Sequence, residues 1–172
     1  MPDLTPVLKK EDLDKSVAEL AQRISKDYKN RDLILVGVLK GAFVFLADLI
    51  RHLTIPAKVD FVRIASYGEG ASSSGTIRLT LAPEVDIRGK DVLIVEDIVD
   101  TGLSLSSLVD YLQGYAPKSV RICALIDKTE RREKQIEVDY VGHVVAQGFL
   151  VGYGLDYAEN YRYLPAVYHL RF

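Results

Sequence analysis

The residues best suited to chemistry lie in one stretch, Glu96-Asp97-Ile98-Val99-Asp100-Thr101-Gly102-Leu103-Ser104. Two adjacent acids follow the apolar run Val92-Leu93-Ile94-Val95. A third acid comes three residues on, and Thr101, Gly102 and Ser104 mark the start of a helical pattern. This reads as a buried strand running into a turn and a helix N-terminus, where free N–H groups and the positive dipole end favour a phosphate. The carboxylates would repel that phosphate. They suit hydroxyl donors or a divalent cation. A sugar phosphate carries both kinds of group. Gly102 lets backbone approach a phosphate closely, Thr101 and Ser104 add hydroxyls, and Leu103 adds only its amide. A pair of helix-start acids favoured by the dipole would account for one carboxylate. It accounts less well for three with two hydroxyls and a glycine between them.

The elements that must position these residues follow from hydrophobic period. Leu13, Val17, Leu20, Ile24 and Tyr28 predict an amphipathic helix over about 11–29. The apolar run 33–39 predicts a strand covered on both faces, and 41–53 a helix. Alternation predicts strands at 58–66 and 76–81. A strand at 92–95 precedes a helix at 102–112, and further strands are expected at 120–126, 138–146, 149–153 and 166–172. Strand and helix alternate through the middle, so the fold class is α/β with a mostly parallel twisted sheet flanked by helices. In such sheets ligands bind at the carboxyl ends of the strands. Lys40-Gly41, Glu96-Asp97 and Asp127-Lys128 all fall at strand ends. Residues 67–75, with three glycines and three serines, are longer than a hairpin turn needs and read as a closing lid.

Whole-chain properties bound the alternatives. With 172 residues, 48% hydrophobic and 27% charged, the sequence reads as one soluble domain. A net charge of −2 gives no footprint for nucleic acid. The mixed-sign run 128–137 reads as a solvated turn. Cys123, the one cysteine, sits in an apolar run and reads as a reduced core thiol. His52, His143 and His169 show no metal spacing, and no Gly-x-x-x-x-Gly-Lys loop is present. No signal pattern and no apolar span of about 18 residues appear, so no membrane partner and a cytoplasmic location are expected.

The stretch from Glu96 to Ser104 resembles the phosphoribosyl pyrophosphate motif of the type I phosphoribosyltransferases, and its wording is closest to the hypoxanthine-guanine branch. Leu39-Lys40-Gly41 is similar to that family's pyrophosphate loop, and Ser66-Tyr67 to the start of its mobile lid. Lys128 matches its purine-contacting lysine, and Arg162 its pyrophosphate arginine. Phe149 through Tyr157 resembles its base-binding segment, in which the aromatic stacks on the base and the next residue, Leu150, offers backbone groups. In that family the aspartate of the segment binds magnesium, and Asp156 stands at its position here. Val141-Gly142-His143-Val144-Val145 departs from the usual wording before that segment, and Leu103 stands where some relatives have lysine.

The resemblance implies a single phosphoribosyltransferase domain over 1–172. It has a core over about 30–135, a lid over about 66–76, and a small hood built from the N-terminal segment and about 138–172. It implies transfer of the phosphoribosyl group to N9 of hypoxanthine or guanine, with Asp100 as the proton acceptor and Mg2+ held at Glu96, Asp97 and Asp156. Lys40, Gly41, Thr101 to Ser104 and Arg162 would hold phosphate groups, and Lys128, Phe149, Leu150 and Asp156 the purine side. A homo-oligomer, dimer or tetramer, is expected with it. Two alternatives stay open: a same-fold transferase acting on xanthine or a pyrimidine, and a non-enzymatic nucleotide-sensing regulator that binds RNA or DNA.

Overall fold

The apolar run at Leu33–Leu39 (β2) sorts its side chains to two faces of a sheet. Leu33 and Leu35 join a core with Leu13, Val17 and Ile24, and with Phe45 and Leu49. Ile34, Val36 and Val38 join a second core with Leu105, Leu108 and Leu112. The first core is roofed by the helices Lys10–Asp27 (α1) and Phe43–His52 (α2), the second by Leu103–Gln113 (α3). Each such buried leucine or isoleucine stabilises the fold by about 1.5–3 kcal/mol. The computed structural model describes residues 2–65 and 77–172. The expected lid, with Ser66 and Tyr67, lies outside the described residues.

Six strands form the large sheet in the order β4-β3-β2-β5-β6-β7. Here β3 is Lys58–Ile64, β4 Leu79–Leu81, β5 Asp91–Val99, β6 Ser119–Lys128 and β7 Tyr140–Val145. All neighbours are parallel except β3 and β4, as the strand and helix alternation requires. A second sheet, antiparallel in the order β1-β9-β8, brings the two chain ends together: β1 is Asp3–Leu8, β8 Leu150–Val151 and β9 Val167–Arg171. It forms the expected hood. The hood draws on less of the C-terminal region than expected, because β7 pairs with β6 in the large sheet. Leu150, Tyr153, Leu155 and Val167 share the first core with α1 and α2, and Tyr153 donates its hydroxyl to Asp48 of α2.

Two expectations are corrected. The strand expected to end at Val95 runs to Val99, because β6 continues beside it, pairing Glu96 with Ala124, Ile98 with Ile126 and Val99 with Asp127. The N-terminal strand β1 was not expected. Its partner is β9, with Leu4 opposite Leu170. Cys123 is buried and free, and burial pushes its thiol up. Among the described residues no helix is long and apolar enough to cross a membrane.

Candidate active site

Parallel pairing of β2, β5 and β6 sets their carboxyl ends side by side on one sheet edge. Glu96 and Asp97 stand within β5, not after it, so the strand itself holds them. Asp97 is buried, its Oδ1 accepting the Ile98 N–H at 2.7 Å. Glu96 accepts the Asp97 N–H at 3.0 Å. Burial first, and the Asp97 charge second, push the Glu96 carboxyl well above the usual carboxylate range. Hydroxyl donors or a cation placed beside this pair would relieve that cost. Gly41 packs so tightly on Asp97 that a Cβ there would lie 1.9 Å from Oδ2. A Cβ on Gly154, at φ +97, would lie 2.4 Å from the Gly41 carbonyl oxygen. The loop after β2, the strand carboxylate and the hood segment therefore stack without room for a methyl group.

Gly102 precedes α3 at φ +82, a backbone that favours glycine, and Leu103 donates its N–H to Thr101 Oγ1 at 3.3 Å. Leu103 and Ser104 are exposed at the helix start. The structure gives Gly102 a further reason beyond phosphate approach: a Cβ would lie 2.6 Å from the Lys134 carbonyl oxygen. The segment behind is thus packed against this turn. Thr101 O accepts N–H groups of Glu133 and Lys134 at 2.9 and 3.1 Å. Arg132 completes the backing. It donates to the carbonyls of Asp100 at 2.9 Å, Lys128 at 3.3 Å and Val99 at 3.4 Å, and to the Asp127 carboxylate. Only 11% of its side chain is exposed. The solvated-turn reading of 128–137 therefore fails at Arg132. No periodicity marks an arginine that bonds mainly to carbonyls, so the sequence carried no signal for it.

Lys128, read from the sequence alone as a solvated strand-end lysine, is 6% exposed. Its Nζ donates to the Gly148 carbonyl at 3.1 Å and lies 3.5 Å from Asp100 Oδ2. Arg131 reaches the same oxygen at 3.5 Å. Asp100 Oδ1 is buried with no hydrogen-bond partner among the described residues. One residue beyond Gly148, Phe149 is 46% exposed rather than in the core. Tyr157 meets its ring edge-on, centroids 5.7 Å apart at 89°, which fixes the plane of the ring. Leu150 is buried in β8 opposite His169.

On the other flank Arg162 donates to the Gly154 carbonyl at 2.7 Å and pairs with Asp156 at 3.0 Å and Glu159 at 3.1 Å. Glu159 also pairs with Lys40 at 2.7 Å. The Lys40 bond, followed by the Arg162 bond, holds the Glu159 carboxyl below the usual range. The Leu39–Lys40 peptide is cis. Among the described residues no three His, Cys, Asp or Glu side chains converge as a metal cage. Glu96, Asp97 and Asp156 are therefore not a closed ligand set. They are hard oxygen donors that fit a magnesium ion completing its shell with water and ligand oxygens.

The chain matches the phosphoribosyl transferase domain over residues 5–158. It belongs to that family. Hypoxanthine-guanine phosphoribosyltransferase of Aquifex aeolicus is 47% identical over 163 residues, covering 94% of this chain and 92% of that protein. Hypoxanthine phosphoribosyltransferase of Escherichia coli is 45% identical over 153 residues, covering 88% and 86%. A crystal structure of a hypoxanthine-guanine phosphoribosyltransferase from Bacillus anthracis superposes with a TM-score of 0.93 at 38% identity, covering 100% of both chains. The family's fold is thus the fold described above, hood included.

Proposed function

We propose that the chain transfers the 5-phosphoribosyl group of phosphoribosyl pyrophosphate to N9 of hypoxanthine, and of guanine, in purine salvage. The products are IMP or GMP and pyrophosphate. The observation that carries the base assignment is the buried Lys128 beside Asp100, whose Oδ1 lacks a partner among the described residues. A 6-oxopurine brings an acceptor, O6, to Lys128 and a ring N–H to Asp100. A 6-aminopurine brings a donor to a donor, which sites of this kind reject by roughly 10⁴-fold.

The reaction forms the N9–C1′ bond and breaks the bond from C1′ to pyrophosphate oxygen, and the ring proton passes to Asp100. The exposed face of Phe149 stacks on the purine, and backbone groups of Leu150 meet its edge. Glu96 and Asp97 accept the ribose hydroxyls. Amides and hydroxyls from Thr101 to Ser104 hold the 5′-phosphate at the start of α3. Lys40, the Gly41 backbone and Arg162 hold the leaving pyrophosphate. Mg2+ held by Asp156, with Glu96 and Asp97 facing the ribose side, would neutralise pyrophosphate charge. The reading includes a cytoplasmic location and self-association as a dimer or tetramer.

Pyrophosphate release measured with hypoxanthine, guanine, xanthine, adenine and uracil tests the reading. Turnover with hypoxanthine and guanine and none with adenine is expected. Preference for uracil or adenine, or no release with any base, overturns it.

A further inference from the structure

Lys40 and Arg162, both assigned to the pyrophosphate seat, stand 119 residues before and three residues after Glu159, the acid they share. Both are held by one carboxylate. Glu159 Oε2 accepts from Lys40 Nζ at 2.7 Å and Oε1 from Arg162 at 3.1 Å. The acid is built into this position. Its backbone sits at φ +66 in a turn where Tyr157 and Asn160 exchange hydrogen bonds, and its N–H donates to Asp156 Oδ2 at 2.9 Å. Yet its side chain is 63% exposed, and among the described residues its carboxylate bonds to the two cations it bridges.

We propose that Glu159 is an internal counter-ion of the pyrophosphate seat, exchanged for the pyrophosphate group when the sugar substrate binds and restored when pyrophosphate leaves. The inference rests on the assignment of Lys40 and Arg162 to pyrophosphate. Among the described residues Asp156 faces only Arg162 of the two, at 3.0 Å, so Glu159 is the carboxylate that draws Lys40 and Arg162 together against their mutual repulsion. Exposed ion pairs are weak and screened by salt, so an incoming group of higher charge displaces it readily. Glu159 then sets affinity by competition: it keeps the empty seat assembled and limits how tightly the product is retained.

Calorimetric titration of the full chain with inorganic pyrophosphate, with and without magnesium, tests this. Glu159→Gln keeps the shape and removes the charge, and should bind pyrophosphate about three- to tenfold more tightly than the parent. Its affinity for IMP, which lacks pyrophosphate, should stay within twofold. Should the glutamine variant not fold, Glu159→Ala must show the same tightening. Weaker or equal pyrophosphate binding by the folded variant overturns the counter-ion role, while leaving the seat itself intact. If the parent chain binds no pyrophosphate at all, the assignment of the seat fails and this inference with it.

Discussion

Two arginines back the same site and behave differently. Arg132 bonds to the carbonyls of Val99, Asp100 and Lys128 and to the Asp127 carboxylate, and most of its side chain is covered. Arg162 bonds to one carbonyl and to two carboxylates, one of them exposed, and its Nε is buried without a partner among the described residues. Main-chain carbonyls at strand ends cannot leave, so Arg132 is a fastener: it ties the end of β5 to the end of β6 and fixes where Asp100 and the 101–104 turn stand. Side-chain anions can be exchanged, which suits the pyrophosphate role proposed for Arg162. What separates the structural cation from the one proposed to bind is the kind of acceptor each holds.

The sharpest break falls on what Arg132 fastens. Asp100→Asn keeps the side-chain shape and removes the proposed proton acceptor. It should lower kcat by about 10²- to 10⁴-fold while phosphoribosyl pyrophosphate affinity stays within a few-fold. Steady-state kinetics check this, and unchanged kcat would remove Asp100 from the chemistry. Next comes the contrast between the arginines. Arg132→Leu strands three carbonyls and a carboxylate and should cost about 2–4 kcal/mol in denaturant unfolding. Arg162→Ala strands one carbonyl rather than three and should cost less, about 1–2 kcal/mol, and instead weaken pyrophosphate binding by about 10- to 100-fold. Equal stability losses for the two would erase the distinction.

The smallest expected effect lies away from both. His143 on β7 touches Ser16 of α1 at 2.6 Å, and its burial outweighs the nearby Asp12 and Glu19 charges and lowers its pKa. Between the lowered folded value and the ordinary value of 6.5, the unfolded chain binds more protons. Stability should therefore fall as pH drops below about 6.5 and level off beneath the folded value. His143→Gln should flatten that part of the profile in thermal melts at graded pH. An unchanged slope would show that other groups set it.

Local pattern carried much of the fold. The apolar run 33–39 coincides with β2, and the helix expected over about 11–29 is found at Lys10–Asp27, because burial on one or two faces imposes a period. Elements set by distant partners were illegible. β1 carries Asp3 and Pro6 and exists because β9 lies beside it. The polar extension of β5 through Glu96 and Asp97 exists because β6 continues alongside. The step from β6 to β7 is parallel with no helix between them, which no period announces. At the site, the acids and glycine of 96–104 were legible from chemistry, whereas Lys128 and Phe149 needed the family resemblance. Arg132 and Glu159 were not legible at all, since their roles depend on which carbonyls and cations the fold brings to them.

A 6-oxopurine nucleotide should span this site in one orientation. A crystal structure of the chain with IMP tests it directly. O6 should lie within about 3.2 Å of Lys128 Nζ, the ring over Phe149, the ribose hydroxyls at Glu96 and Asp97, and the phosphate at the amides of Thr101 to Ser104. A nucleotide bound with its base away from Lys128, or its phosphate away from that turn, would contradict it.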